Sequence, residues 1–227
     1  MPELLPLVTA VAGLVLGALA AWLWSRRTLA AQRQRHEHAL DFARTEARTD
    51  ALTGLWNRRA FDEQLALQAA IARRYDSACA VVLIDIDELK SLNDRFGHSS
   101  GDAALRRLAA VLESALREAD FAARFGGDEF AVLLPQTDVP GAVCVALRLL
   151  ASLNESESNP SAADEDDSAA NVPILRASLG IAAILPDESA TDLLRRADKA
   201  LYSAKQAGGH RVWWHDGRVA VECRSDR

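Results

Sequence analysis

A run of 21 residues without a charged side chain, from Leu4 to Trp24, lies near the start of the chain. A helix of this length is about 31 Å long, which matches the ~30 Å hydrocarbon core of a bilayer. Trp22 and Trp24 end the run, where membrane proteins concentrate aromatic side chains at the interface. The sequence therefore predicts one transmembrane helix at 4–24.

The charges around this run predict its orientation. Arg26 and Arg27 follow it at once, whereas only Glu3 precedes it. Because basic flanks stay on the cytoplasmic side, we expect a single-pass protein of the inner membrane with most of its chain in the cytoplasm. A cleaved signal peptide is the alternative, but it usually has a basic start and a shorter apolar core.

Residues 25–49 lack Gly and Pro and are rich in helix-forming residues, so they predict a helical linker. A weak heptad seam runs along it at Leu29, Arg33, His36, Leu40, Ala43 and Ala47. Arg and His are poor core residues for a coiled coil. A solvated linker and a parallel dimer stalk both fit this segment.

Composition narrows the classes of protein. Hydrophobic residues make up 49% of the chain, enough for a core, and the formal net charge of −6 argues against a nucleic-acid partner. The three cysteines are too few for a disulfide framework and fit a reducing compartment.

Alternating amphipathic and apolar segments predict one α+β domain at 50–216. Helices are expected at 61–75, 102–119, 140–153 and 191–206, and strands at 78–85, 121–134 (a hairpin), 175–185 and 212–214. This order favours helices packed on one face of a largely antiparallel sheet. The six acidic residues and no basic residue of 154–171 predict a flexible insertion, and 217–227 a polar tail.

Two acidic clusters lie next to predicted strands. Asp85 and Asp87 end the first strand on the same side, and Asp128 and Glu129 follow the paired glycines 126–127. If the hairpin pairs beside the first strand, Asp128 approaches Asp85. Converging carboxylates need a cation, and oxygen ligands suit Mg²⁺ or Mn²⁺. By itself, Asp-x-Asp is equally typical of a solvated strand end.

Five segments, in order, resemble the motifs of the GGDEF family of diguanylate cyclases. Along the chain, they are DALTGLWNRR at 50–59, DIDELKSLNDRFGH at 85–98, Gly101-Asp102, the signature-like RFGGDEF at 124–130, and ADKALYSAK at 197–205. The resemblance covers about 50–214. It implies a ferredoxin-like two-layer α/β sandwich, similar to the palm of nucleotidyl cyclases, after the transmembrane helix and linker.

The resemblance also implies an activity. Members of the family condense two GTP molecules into cyclic di-GMP and pyrophosphate, as a homodimer in which two domains face each other. A catalytically weak or silent GGDEF domain that binds nucleotide or cyclic di-GMP as a receptor is the alternative. Members of the silent class usually lack the acids or glycines of the signature, which this sequence retains.

Residue roles follow from the same resemblance. Two Mg²⁺ or Mn²⁺ ions per active site are expected on Asp85, the carbonyl of Ile86, Asp128 and Glu129. Asp128 is the expected proton acceptor, with Glu129 and Lys90 also in the catalytic set. The expected GTP-binding residues are Asn93, His98 and Asp102 at the base, and Glu88, Leu89, Lys90, Gly126, Gly127 and Lys205 at the phosphates.

A product-inhibition site is expected as well. Arg117 and Asp120 resemble the family's RxxD motif, and Arg148 matches an arginine that completes that site. Two positions depart from the family pattern. Gly209 stands where an arginine usually contacts phosphate, so Arg211 is the expected substitute, and Leu89 stands where an aromatic residue is common.

Overall fold

The computed structural model describes residues 48–155 and 175–223, together with Trp22 and Arg26. The chain divides into two units, Met1–Ala47 and Arg48–Arg227. Three predicted segments lie almost wholly outside the described residues. They are the transmembrane helix at 4–24, the linker at 25–49 and the insertion at 154–171. No helix among the described residues is long and apolar enough to cross a bilayer.

Trp22 and Arg26, the two described residues of the first unit, are both helical. The guanidinium carbon of Arg26 lies 4.6 Å from the ring centroid of Trp22. This cation–π contact joins positions one helical turn apart.

The elements of the second unit alternate in type along the chain. In order, they are β1 (Trp56–Asn57), α1 (Arg58–Tyr75), β2 (Cys79–Ile86), α2 (Leu89–Phe96), α3 (His98–Ala115), β3 (Phe121–Gly126), β4 (Glu129–Pro135), α4 (Val139–Glu155), β5 (Ala177–Ala183), α5 (Ala190–Gln206), β6 (Val212–His215) and β7 (Ala220–Cys223).

All the described strands form one sheet, in the order β1-β3-β4-β2-β5-β6-β7. The central strand β2 is antiparallel to both β4 and β5. Parallel pairing is confined to β1–β3 and β5–β6. The prediction of a largely antiparallel sheet is confirmed.

The helices cover both faces of this sheet, so the predicted two-layer arrangement is wrong. On one face, Val82 and Ile84 of β2 pack in a core with α3 and α4. On the other face, Val81 and Leu83 pack in a second core with α1 and α5. Every residue of β2 is buried, and a continuous apolar run of this kind is typical of a strand covered on both sides.

Beyond small shifts at the ends of elements, one helix is displaced from its predicted position and some elements were not predicted. α3 begins at His98 and ends at Ala115, whereas 102–119 was expected, and the preceding α2 was not predicted. α2 buries only Leu89, so its apolar periodicity is weak. Within the predicted polar tail, β7 pairs with β6 through Val212↔Cys223, which makes 220–223 an edge strand.

Candidate active site

The two predicted acidic clusters meet where β2 ends. Asp85 pairs with Glu129 in the β2–β4 register. The backbone N–H of Ile86 donates to the carbonyl of Asp128 over 3.2 Å. The hairpin therefore lies beside β2, as the sequence argument required.

The turn between β3 and β4 is held from one side and open on the other. Gly126 and Gly127 have φ angles of +150° and +56°, and no atom of the described residues lies within 4 Å of a Cβ built on either. Arg124 donates from Nη2 to the carbonyl of Gly127 over 2.8 Å and forms an ion pair of 3.2 Å with Asp50. Glycine is needed for this backbone, which leaves room for a ligand against the turn.

The carboxylate of Asp85 is buried, and the negative charges around it outnumber the positive ones. Its residue is 4% exposed, and burial raises the pKa of this carboxyl to about 6. The Lys205 ammonium, 2.5 Å away, lowers the pKa, while the charges of Asp128 and Glu129 raise it. The site therefore has an excess of negative charge, which a bound cation offsets.

These oxygen donors fit a divalent metal ion. Mg²⁺ prefers carboxylate and carbonyl oxygens and water. Among residues 48–155 and 175–223, however, no three Asp, Glu, His or Cys side chains already stand close enough to hold an ion. The oxygen donors are of the kind that Mg²⁺ binds, and in this structure the ammonium of Lys205 lies beside Asp85.

A cavity of about 490 Å³ opens in front of this cluster. It is lined by Asp85, Ile86, Asp87, Glu88, Leu89, Lys90, Asp128, Arg176, Lys205, Gly208 and Gly209. Glu129 lines the adjoining cavity of about 640 Å³ along α5 instead. Seven residues predicted at the metal or the phosphates thus share one space: Asp85, Ile86, Glu88, Leu89, Lys90, Asp128 and Lys205.

The N-terminus of α2 is directed to this region by unusual backbone geometry. Glu88 precedes the helix with φ at +59°, and no side chain of residues 48–155 or 175–223 caps the first turn. Leu89 is buried beneath it, while Lys90 is exposed. Uncapped N–H groups at a helix N-terminus bind anions, so this end of α2 suits phosphate.

Asp87 lines the same cavity but has a structural role. Its Oδ1 accepts from Ser178 Oγ over 2.7 Å, and its Oδ2 accepts from the backbone N–H of His210 over 2.7 Å. Asp87 therefore ties the end of β2 to β5 and to the loop at 208–210.

Gly209 leaves no space for a side chain in that loop. Its φ is +71°, and a Cβ there would lie 2.9 Å from Oδ2 of Asp87. Arg211 donates to the carbonyl of Gly209 over 3.0 Å and forms an ion pair of 3.1 Å with Glu222. Arg211 does not line the cavity, so this geometry gives no support to its expected role as the substitute phosphate ligand.

The residues predicted for base recognition lie on α2 and α3, outside the lining of this cavity. A Cβ on Gly101 would lie 2.0 Å from Oδ1 of Asn93, so Asn93 packs against the backbone next to Asp102. Asn93 Oδ1 is buried and has no hydrogen-bond donor among the described residues. His98 is exposed at the first position of α3.

Comparison with known proteins identifies the family of this site. Residues 47–211 match the family described as "Diguanylate cyclase, GGDEF domain". The chain belongs to this family.

Several curated relatives of the GGDEF domain are named diguanylate cyclases. The chain is 40% identical over 177 residues to diguanylate cyclase DgcP of Pseudomonas aeruginosa, covering 78% of this chain and 25% of the relative. It is 38% identical over 185 residues to DgcM of Escherichia coli, covering 80% and 41%. The chain thus spans less than half the length of these relatives.

A solved structure supports the fold. The coiled coil and GGDEF domain of DgcB from Caulobacter crescentus, in complex with c-di-GMP, has a TM-score of 0.72 and 32% sequence identity. The match covers 81% of this chain and 94% of that one.

The residues predicted for product inhibition come together at the end of α3 in the GGDEF domain. Arg117 N donates to Oδ2 of Asp120 over 2.9 Å, and Asp120 N donates to the carbonyl of Arg117 over 3.0 Å. Arg148 reaches across from α4 and donates to the carbonyl of Ala115 over 2.7 Å. Both arginines are exposed.

Sequence reasoning missed two features of the GGDEF domain's cavity. Arg176 lines it, and Ser178 fixes Asp87. The available signal was polar residues within the predicted strand 175–185, which is otherwise largely apolar.

Proposed function

We propose that this GGDEF domain is a diguanylate cyclase that joins two GTP molecules into cyclic di-GMP and releases two pyrophosphates. One observation carries the proposal. The buried Asp85 on β2 pairs with Glu129, the first residue of β4, which directly follows the open glycine turn and Asp128. The curated relatives named diguanylate cyclases support the same activity.

Metal binding is proposed at Asp85, the carbonyl of Ile86, Asp128 and Glu129, for two Mg²⁺ or Mn²⁺ ions. When bound, the ions supply positive charge that offsets the charge on the transferring phosphate. Lys205, whose side chain is 42% exposed, is then free of Asp85 and binds the triphosphate.

The remaining substrate contacts follow the local geometry. The N–H groups at Glu88 and Leu89 and the ammonium of Lys90 bind phosphate oxygens, and the open turn at 126–127 receives the α-phosphate. Asn93 Oδ1, a buried acceptor without a donor, accepts from guanine. Asp102 accepts from the guanine N1–H and N2 amine, with His98 at the edge of this subsite.

In the proposed reaction, Asp128 accepts the proton of the 3′-hydroxyl of one GTP as that oxygen attacks the α-phosphate of the other. The new ester bond forms while the bond to pyrophosphate breaks. Two attacks close the ring, so two domains must face each other. The homodimer is proposed to use the linker at 25–49 as its stalk.

The direct test is formation of cyclic di-GMP by the purified full chain with GTP and Mg²⁺. Asp128→Asn should lower turnover by roughly 10²-fold or more, because a positioned acid–base group is lost. Asp62→Asn, on the exposed side of α1, is the control and should keep the parental rate. Near-parental turnover in Asp128→Asn contradicts the role of Asp128, and GTP binding without product indicates the silent receptor.

Product inhibition is proposed at Arg117, Asp120 and Arg148, with cyclic di-GMP as the inhibitor. The DgcB structure, solved with c-di-GMP, supports the ligand class. Arg117→Ala removes a charge-assisted contact worth about 1.5–3 kcal/mol, so the inhibition constant should rise roughly 10- to 150-fold.

Progress curves with added product measure this effect. The initial rate should stay parental, because Arg117 does not line the catalytic cavity. Arg106→Ala, also on α3, is the matched control and should not change the inhibition constant. If Arg117→Ala stops at the same product level as the parent, the inhibitory site lies elsewhere.

Membrane anchoring is proposed through residues 4–24, with the GGDEF domain on the cytoplasmic side of the inner membrane. The basic flank at Arg26 and Arg27 supports this orientation. A reporter fused after Arg227 should be active only in the cytoplasm and sediment with membranes. Chain released into the periplasm and shortened near residue 25 would indicate a signal peptide instead.

A further inference from the structure

Arg176 lies on one wall of the catalytic cavity, immediately before β5. Its backbone carbonyl accepts from the N–H of Asp87 over 2.9 Å, which fixes its position beside the end of β2. Its side chain is exposed and lines the cavity together with Asp85, Lys205 and Gly209. Arg176 therefore faces the same space as the acidic cluster.

The guanidinium of Arg176 is not committed to any partner among the residues that the structure describes. It forms no hydrogen bond or ion pair with the residues described in 48–155 and 175–223. The neighbouring carboxylate, Asp87, already accepts from Ser178 through one oxygen and from His210 through the other. Burial, followed by the charge of Arg176, lowers the pKa of His210, which is consistent with a guanidinium close to the loop at 208–210.

The other lysines of the cavity belong to other elements, since Lys90 lies on α2 and Lys205 on α5. Lys205 is held 2.5 Å from Asp85. Gly209 carries no side chain and has no space for one, and Arg211 pairs with Glu222 on β7. On the wall formed by β5 and the 208–210 loop, Arg176 is thus the described cation that remains available to a ligand.

We propose that Arg176 is a substrate-binding residue that holds the terminal phosphates of GTP. This inference rests on the proposed diguanylate cyclase function. A guanidinium presents a planar fork of donors that matches phosphate oxygens, and it stays charged at every relevant pH. Arg176 reaches the phosphates from β5 and thereby supplies the charge that the 208–210 loop lacks.

Binding of guanosine, GMP and GDP to the full chain with Mg²⁺ tests the proposal separately from turnover. Arg176→Ala should weaken GDP binding about tenfold, the effect of one charge-assisted phosphate contact, and should leave guanosine binding within about twofold. The KM for GTP should rise by a similar factor. Arg176→Lys should recover part of the loss, since it restores the charge without the fork.

Arg106→Ala and Arg211→Ala are the controls for loss of an arginine elsewhere. Both should bind GDP like the parent, and thermal unfolding should show that every variant is folded. Equal GDP affinity in Arg176→Ala and the parent overturns the inference while leaving the proposed function intact. Weakened GDP binding in Arg211→Ala alone also overturns it. Failure of the parent to bind any of the three ligands overturns the proposed function itself.

Discussion

Two of the ion pairs of helix α5 differ in solvent access. Near its start, Arg196 pairs with Glu188, and the two side chains are 9% and 8% exposed. At its end, Lys205 pairs with Asp85, with side chains 42% and 6% exposed. One pair is closed on both sides, whereas the other has a buried acid and a largely solvated base.

The two pairs also differ in how completely their donors are used. Arg196 donates to both oxygens of Glu188, to the carbonyl of Ala183, and to the carbonyl of His215 over 3.0 Å. A buried ion pair with satisfied hydrogen bonds rigidifies its surroundings. Asp85, in contrast, is buried and lies beside two further carboxylates, so its ionised form is disfavoured within the fold. The closed pair supports structure, and the open pair is available for ligand chemistry.

The largest effect that separates the two pairs is expected at Arg196. Arg196→Ala should lower the free energy of unfolding by about 3–5 kcal/mol, because it leaves the buried carboxylate of Glu188 without a compensating positive charge. Arg195→Ala removes an exposed ion pair on the same helix and should change it by about 1 kcal/mol or less. Urea denaturation measures both. Similar losses of stability in the two variants would show that the buried Arg196 pair contributes no more to stability than an exposed pair.

A smaller effect of opposite sign is expected at Asp85. Its pKa rises from 3.8 to about 6 on folding, so the folded state binds the proton more tightly. Stability therefore falls as the pH rises from about 4 to about 6, by roughly 2–3 kcal/mol at 1.36 kcal/mol per pH unit. Asp85→Asn should remove this loss and be more stable than the parent at pH 8, though inactive.

Denaturation curves at pH 4 and pH 8 test the Asp85 prediction. At pH 8 the parent should have a lower free energy of unfolding than Asp85→Asn, and at pH 4 the two free energies should be about equal. A variant that is less stable than the parent at pH 8 would show that ionised Asp85 stabilises the fold. The comparison between the two ion pairs would then fail.

The smallest stability effect is expected at Lys205. Because the Lys205 side chain is 42% exposed, and Asp85 with its pKa raised to about 6 is largely protonated near pH 5, Lys205→Ala should change the free energy of unfolding at that pH by about 1 kcal/mol or less. Lys205 lowers the pKa of Asp85. Its removal should therefore raise that pKa and shift the acidic limb of the pH–rate profile to higher pH. A loss of stability comparable to that of Arg196→Ala would make the two pairs equivalent.

Local patterns were sufficient for most of the elements. The apolar run of β2, the paired glycines at 126–127 and the amphipathic period of α5 each predict their element from neighbouring residues alone. The approach of Asp128 to Asp85 could also be predicted, since it needed only the pairing of one hairpin with one strand. The continuous apolar run of β2 is the pattern of a strand covered on both faces, but it does not show which helices lie on which face.

The sequence by itself determined the family, the carboxylates at the end of β2 and the glycine turn, because these lie in short contiguous motifs. Only the tertiary structure decided which cations serve them. Arg176 lines the cavity from the start of β5, Lys205 on α5 pairs with Asp85 on β2, and Arg211 before β6 pairs with Glu222 on β7. Such contacts join residues far apart in the chain, so spacing along the sequence carries no signal for them.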